Sequence, residues 1–254
     1  MNALFGNLTT DGMEEVEDRL GGGFQPFDTG SYISTIKQMY AGESQGGAKN
    51  MTIIADIDGK EHRETIYFTN KKGENFFLNK QDNSKKVPLP GFTTVDDICL
   101  VATGIPLAET VFEEKMVKIW DHESRKEVPK SVPVAVDCIG KQVGLALLNI
   151  IANKSEKQGN EYVDIADTRS FNEIDKVFDP ETRLTVVEAR NEVTEADFMQ
   201  KWEEKNSGNV RDKRSIKDGQ GGSTGRPGAS NSSSPPQGGA AKERKSLFGN
   251  KAAA

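Results

Sequence analysis

Between residues 24 and 180 the chain is cut into short runs rich in β-branched and aromatic residues, each ended by turn-forming residues. Tyr32 to Tyr40 alternates in character along its length, and Met51 to Ile57, Glu64 to Thr69 and Asn75 to Leu78 follow. Further runs are Ile98 to Ala102, Met116 to Trp120, Val132 to Cys138, Gln142 to Ile151 and Tyr162 to Ile165. Asp58-Gly59, Lys72-Gly73, Pro88-Leu89-Pro90-Gly91, Thr103-Gly104 and Ile139-Gly140 separate them, and such pairs supply the dihedrals of tight turns. Short strands with regular turns predict an all-β barrel or sandwich. One run stays open: Leu145, Leu148 and Ile151 also fit a helical face, so Gln142 to Asn153 reads as strand or helix.

The two ends differ from this body. Residues 1–23 read as an arm, with Met13, Val16 and Leu20 at helical spacing before Gly21-Gly22-Gly23. Residues 24–205 form the expected domain, with a helical flank over Thr182 to Asn206. There Thr194-Glu195-Ala196-Asp197 resembles a capping box, and Phe198 and Trp202 share a face. From 206 to 254 the composition shifts to Gly, Ser, Pro, Asn, Gln, Lys and Arg, which cannot bury a core and is expected to be disordered. The whole chain has a hydrophobic fraction of only 35% and a net charge of -6. That charge hides an asymmetry: residues 206–254 carry +6, which leaves -12 on residues 1–205. An acidic body binds nucleic acid only through a local basic groove. Leu4-Phe5-Gly6-Asn7 recurs as Leu247-Phe248-Gly249-Asn250, and the Leu247-Phe248 pair on a basic tether is a candidate docking hook for a protein partner.

Several classes are disfavoured. No apolar run reaches transmembrane length and the N-terminus lacks a signal-peptide pattern, so a cytoplasmic location is expected. Cys99 and Cys138 sit inside apolar runs and read as small buried hydrophobes. With His62 and His122 the only histidines and no Cys-x-x-Cys, neither a zinc site nor any other cofactor site is expected. Gly42 to Lys49 ends in Gly-Ala-Lys-Asn, which misplaces the lysine and hydroxyl of a phosphate loop, and reads as a flexible strand connection. Asp96-Asp97, read as a pair at a turn, and Asp56 with Asp58 lack the supporting ligands of a metal-dependent nuclease. Trp120 reads as core or half-buried.

The stretch from Lys60 to Phe92 carries the chemistry. If Arg63 to Lys71 is a strand, one face presents Arg63, Thr65, Tyr67, Thr69 and Lys71, and the other holds Ile66 and Phe68 against the core. After Lys72-Gly73 a second strand puts Phe76 and Leu78 on one side and Phe77 with Asn75 and Asn79 on the other. A one-residue register slip exchanges Phe76 and Phe77, so the groove-facing ring stays open. Lys80, Lys85 and Lys86 add cations, and Tyr40 is a further candidate aromatic. Cations that track phosphates beside aromatic planes that accept bases are what single-strand binding requires.

These residues also carry a family resemblance. Arg63-Glu64-Thr65-Ile66-Tyr67-Phe68-Thr69-Asn70-Lys71-Lys72-Gly73-Glu74-Asn75-Phe76-Phe77, with Leu89-Pro90-Gly91-Phe92 after it, resembles the core of single-stranded DNA-binding proteins of short-tailed bacteriophages. The Leu-Phe-Gly-Asn arm, Leu20-Gly21-Gly22-Gly23 and the low-complexity tail add to the likeness. The resemblance implies an OB-like barrel that protects and melts DNA in phage replication and recombination, in the host cytoplasm. In that family Tyr67, Lys71 and Lys72 fall at binding positions, and the C-terminus recruits replication or transcription proteins. The tail here departs in being basic.

The expectation is a mainly β, OB-like barrel with a C-terminal helix and disordered tail, binding single-stranded DNA without sequence readout and without catalysis. Its binding residues would be Arg63, Tyr67, Lys71, Lys72, Phe77, Lys80, Lys85, Lys86 and Tyr40. The competing readings are a protein-interaction or virion component acting through the tail, and a nuclease using Asp96, Asp97 or Asp121.

Overall fold

Runs of β-branched and apolar residues bounded by turn residues set the first three strands. In the computed structural model, which describes residues 25–121, 124–159 and 161–216, β1 (Gly30–Glu43), β2 (Lys49–Ile57) and β3 (Lys60–Tyr67) form an antiparallel meander. Met39, Met51, Ile53, Ala55 and Ile66 are buried in its main core. A bulge between Ile36 and Gln38 changes the parity of β1, so that Ile36 and Met39 both reach that core. Asp58 and Gly59, with φ of 50° and 82°, make the two-residue turn from β2 to β3 that an Asp-Gly pair favours. The expected arm over 1–23, the Leu-Phe-Gly-Asn repeats with Leu247 and Phe248, and the tail beyond residue 216 lie outside the described residues.

β4 (Phe76–Leu78) and β5 (Lys86–Pro88) pair only with each other, as a small separate ribbon. Then comes a correction: Ile98 to Ala102, expected as a strand, lies in α1 (Pro90–Thr103). The apolar run is too short to betray its period. Its neighbours decide the matter, since Val95, Ile98, Cys99, Val101 and Ala102 bury one helical side. Pro90 sits in the first turn, where a missing N–H costs nothing, and Gly104 closes the helix at φ 77°.

β6 (Glu113–Asp121) and β7 (Lys126–Val134) form a hairpin that joins the sheet through Val134 opposite Tyr40. The open run from Gln142 resolves as strand: β8 (Gln142–Gln158) pairs with β1 along Gln142 to Leu147 and with β9 (Glu161–Phe178) from Gly144 to Gln158. Gly144 is required here, because a β-carbon would lie 2.3 Å from the Phe178 ring.

The helical flank is split into α2 (Val186–Arg190) and α3 (Phe198–Asn206). The capping box lies at Thr185 and Glu188, not at Thr194 to Asp197 as expected. Glu188 serves both helices, since its Oε2 accepts from Thr185 N at 2.9 Å and its Oε1 from Phe198 N at 2.8 Å and Asp197 N at 3.0 Å. Burial pushes the Glu188 carboxyl up, but these backbone donors outweigh it and hold it below the usual range. On α3, Trp202 is buried in a second core with Met199, Ala146, Leu148, Ile150 and Phe178, while Phe198 is 40% exposed.

The domain also runs past the expected boundary at 205. β10 (Val210–Asp212) pairs parallel with β8 at Asn149 to Ile151, on the edge that β1 vacates at Gly30. Beyond it, buried Asn153 receives Ile216 N at 2.9 Å on Oδ1 and donates Nδ2 to Ile216 O at 3.3 Å. An asparagine amide thus stands in for a strand partner, which composition alone does not reveal.

The strands run in the order β9-β8-β1-β2-β3. No ladder joins β3 to β9 among the described residues. The two edges meet instead through Glu64, whose Oε2 accepts from Ile174 N at 2.7 Å, and α1 touches both strands. Cys99 and Cys138 are buried and free.

Candidate nucleic-acid interface

The binding candidates sit on two neighbouring surfaces. The first is the face of the meander turned away from the main core. Here Arg63, Thr65 and Tyr67 emerge from β3, beside Thr52 and Ile54 of β2 and Tyr40 of β1. Tyr67 is 53% exposed and Arg63 is exposed, as the alternation predicted. The face ends sooner than expected, because β3 stops at Tyr67 and Thr69 turns inward, its Oγ1 accepting from Lys49 N at 2.8 Å.

Tyr40 is a correction. It is 5% exposed and packs with Ile54, Val117 and Val134 under the β6–β7 hairpin, so its ring is not available for stacking. Its hydroxyl accepts a hydrogen bond from Arg63 Nη2 at 2.9 Å. Tyr40 therefore positions a cation on this face and offers no surface of its own.

The second surface is a groove of about 460 Å³ lined by Asn70, Lys72, Glu74, Phe76, Phe77, Leu78 and Lys86. Its wall is a turn built on Asn70, whose Oδ1 accepts from Lys72 N at 2.9 Å and Glu74 N at 3.0 Å. Asn70 Nδ2 donates to Glu74 Oε2 at 2.8 Å, and Gly73 takes φ 77° at the apex. The β4–β5 ribbon presents the aromatics. Lys86 Nζ stands 4.3 Å from the centre of the Phe76 ring, and Phe77 is 47% exposed. Both phenylalanines line the groove. A cation over one ring face leaves the second ring as the freer plane.

The remaining lysines flank these surfaces unequally. Lys71 is exposed and its stem lies against Gly46. Lys80 is exposed after β4, whereas Lys85 is paired with Asp82 at 3.3 Å. The Gly42 to Lys49 connection, read as flexible, is a closed turn: Ser44 N donates to Ala48 O at 2.9 Å and Ala48 N to Ser44 Oγ at 3.1 Å. Asn70, Glu74 and Leu78 are groove residues that sequence reasoning missed, Leu78 having been read on an apolar face. The Asn-x-x-Gly-Glu spacing signals a side-chain-stabilised turn, but not that the turn would wall a groove.

The placement of α1 fixes where Tyr67 emerges. A β-carbon on Gly91 would lie 2.1 Å from Tyr67 O, so only glycine lets the helix start against the end of β3.

The acidic pair read as lying at a turn is on α1. Asp96 is buried, accepts from Leu107 N at 2.9 Å and stands 3.7 Å from Arg190. Burial raises the neighbouring Asp97 carboxyl to about 7, opposed by Arg190 and reinforced by Asp96. Among the described residues no three acidic, histidine or cysteine groups converge as metal ligands, and no helix is long and apolar enough to cross a membrane. His62 is buried, 3.4 Å from Glu64, on the core side of β3. Trp120, expected at least half-buried, is 46% exposed on the β6–β7 hairpin.

No protein-family model matches this chain, and no curated protein matches it. Fold and site together define a mainly β protein with a cation-flanked aromatic groove at one end of its sheet.

Proposed function

We propose that this chain binds single-stranded DNA without catalysis, on the outer face of an OB-like barrel. The observation that carries the reading is that Tyr67 and Arg63 are exposed on β3, while the turn and ribbon that follow it carry exposed Lys71 and a groove lined by Lys72, Phe77 and Lys86. Bases that have left a duplex stack on the two rings, and the cations follow the phosphates. The OB-like reading rests on connectivity. A three-stranded meander leads into a helix, the chain returns through β8 beside β1, and β9 reaches the free edge of β3. The likeness of Arg63 to Phe77 to phage single-strand binders supports a role in coating and melting DNA during phage replication and recombination, in the host cytoplasm, with the basic tail recruiting partner proteins.

The mechanism is sequestration. Binding only the open form pulls hairpins towards the melted state by mass action. The test is fluorescence anisotropy with labelled oligo-dT and a matched duplex at low and high salt. Tight, salt-sensitive binding of the single strand is expected, weakened in Tyr67→Ala by about 1–3 kcal/mol with the melting temperature retained. Equal affinity for duplex and single strand would sink the proposal.

A further inference from the structure

The groove between the Asn70 turn and the β4–β5 ribbon has a mixed lining that a pure phosphate channel would not carry. Lys72 and Lys86 share it with the Glu74 carboxylate and with Phe76, Phe77 and Leu78. Glu74 is not a stray side chain. Asn70 Nδ2 donates to its Oε2 at 2.8 Å, while the same amide's Oδ1 holds Lys72 N and Glu74 N. The turn therefore fixes an anion beside two aromatic rings.

With Lys72 and Lys86 placed to hold the flanking phosphates, the carboxylate faces what lies between them, and a base on the Phe77 ring is the group set against it. A base stacked on Phe77 turns its polar edge to the wall, where a carboxylate accepts hydrogen bonds and donates none. Cytosine and adenine present an exocyclic amino group there, and guanine presents an amino group beside a ring N–H. Thymine offers one ring N–H between two carbonyl oxygens, and those oxygens meet the carboxylate's like charge. We infer that this groove is a base pocket in which Glu74 favours amino-bearing bases over thymine, giving an otherwise sequence-independent binder a built-in base preference. The inference rests on the single-strand reading above.

The experiment compares labelled oligo-dC and oligo-dT of equal length with the full chain, by anisotropy at neutral pH and one salt concentration. Wild type is expected to bind oligo-dC about three- to tenfold more tightly, the range of one ordinary hydrogen bond, since solvent at exposed Glu74 screens the gain a charged acceptor would add. In Glu74→Gln the side-chain amide donates to thymine carbonyls, so the preference should level or reverse. The glutamine keeps an oxygen for Asn70, and an unchanged circular dichroism melt checks the fold. Equal affinities in wild type overturn the base pocket, as does a preference that persists unchanged in Glu74→Gln. If neither oligomer binds, the single-strand reading itself falls, which is a separate result from a binder without preference.

Discussion

At the scale of the residue, exposure separates the side chains that can act from those that support them. Tyr67 was legible because alternation around Ile66 and Phe68 leaves its ring outward, whereas in β4 Leu78, expected on the apolar side, is 49% exposed and lines the groove with both Phe76 and Phe77, so alternation does not sort that strand. Tyr40 misled for a physical reason. Its own strand places it on the same face as Tyr67, but the β6–β7 hairpin, remote in sequence, covers it with Val117 and Val134. Periodicity reports which side a residue faces, not what later lies on that side. Asp97 makes a second residue-level point. Its carboxyl is raised to about 7 by burial, so the folded chain holds a proton that the unfolded chain releases near pH 4. That contribution is fully present below about pH 4 and is lost as pH rises through about 7. Asp97→Asn should therefore be more stable than wild type at pH 8, by up to about 4 kcal/mol. The two should converge towards pH 4, as read from melting temperature against pH.

At the scale of the element, β1 to β3 could be read from sequence because each is a run of β-branched and apolar residues bounded by turn residues, and β2 meets β3 at an Asp-Gly turn. α1 could not, because within Ile98 to Ala102 every side chain is apolar and a five-residue run fits either period. The β4–β5 ribbon was half legible. Asn75 to Leu78 was expected as a strand, but the partner Lys86 to Pro88 contains a proline and reads as a turn. Helices α2 and α3 depend on one carboxylate that neither helix's own sequence announces for both. Removing the charge of Glu188 weakens hydrogen bonds to three backbone N–H groups. Glu188→Gln should cost about 1–3 kcal/mol in denaturant unfolding. Since the wild-type carboxyl is held below its usual range, its contribution is present above about pH 4.5 and lost as pH falls. The variant's deficit should shrink in acid.

At the scale of the whole molecule, the boundary between body and tail tests how far the fold extends. Composition placed it at 206 because Gly, Ser and Asn accumulate from there, yet β10 and the Asn153 amide carry the fold to Ile216. A chain ending at Ile216 should melt within a degree or two of the full-length protein. One ending at Asn206 strips β8 of a strand and leaves a buried amide without its partners, and should melt several degrees lower. Scanning calorimetry of the two truncations distinguishes these outcomes. The junction of β3 with β9 has a wider meaning. Neighbouring strands from β9 through β8, β1 and β2 to β3 part only by breaking a ladder of bonds together. Here one charge-assisted hydrogen bond from Ile174 N to Glu64, of about 1.5–3 kcal/mol, stands in for a ladder, and the rest of the junction is apolar packing of Ile174 and Ile66 with α1. Thermal breathing of the shell therefore concentrates at this one clasp. Amide hydrogens on the outer edge of β9 can reach solvent there while the rest of the protein stays folded.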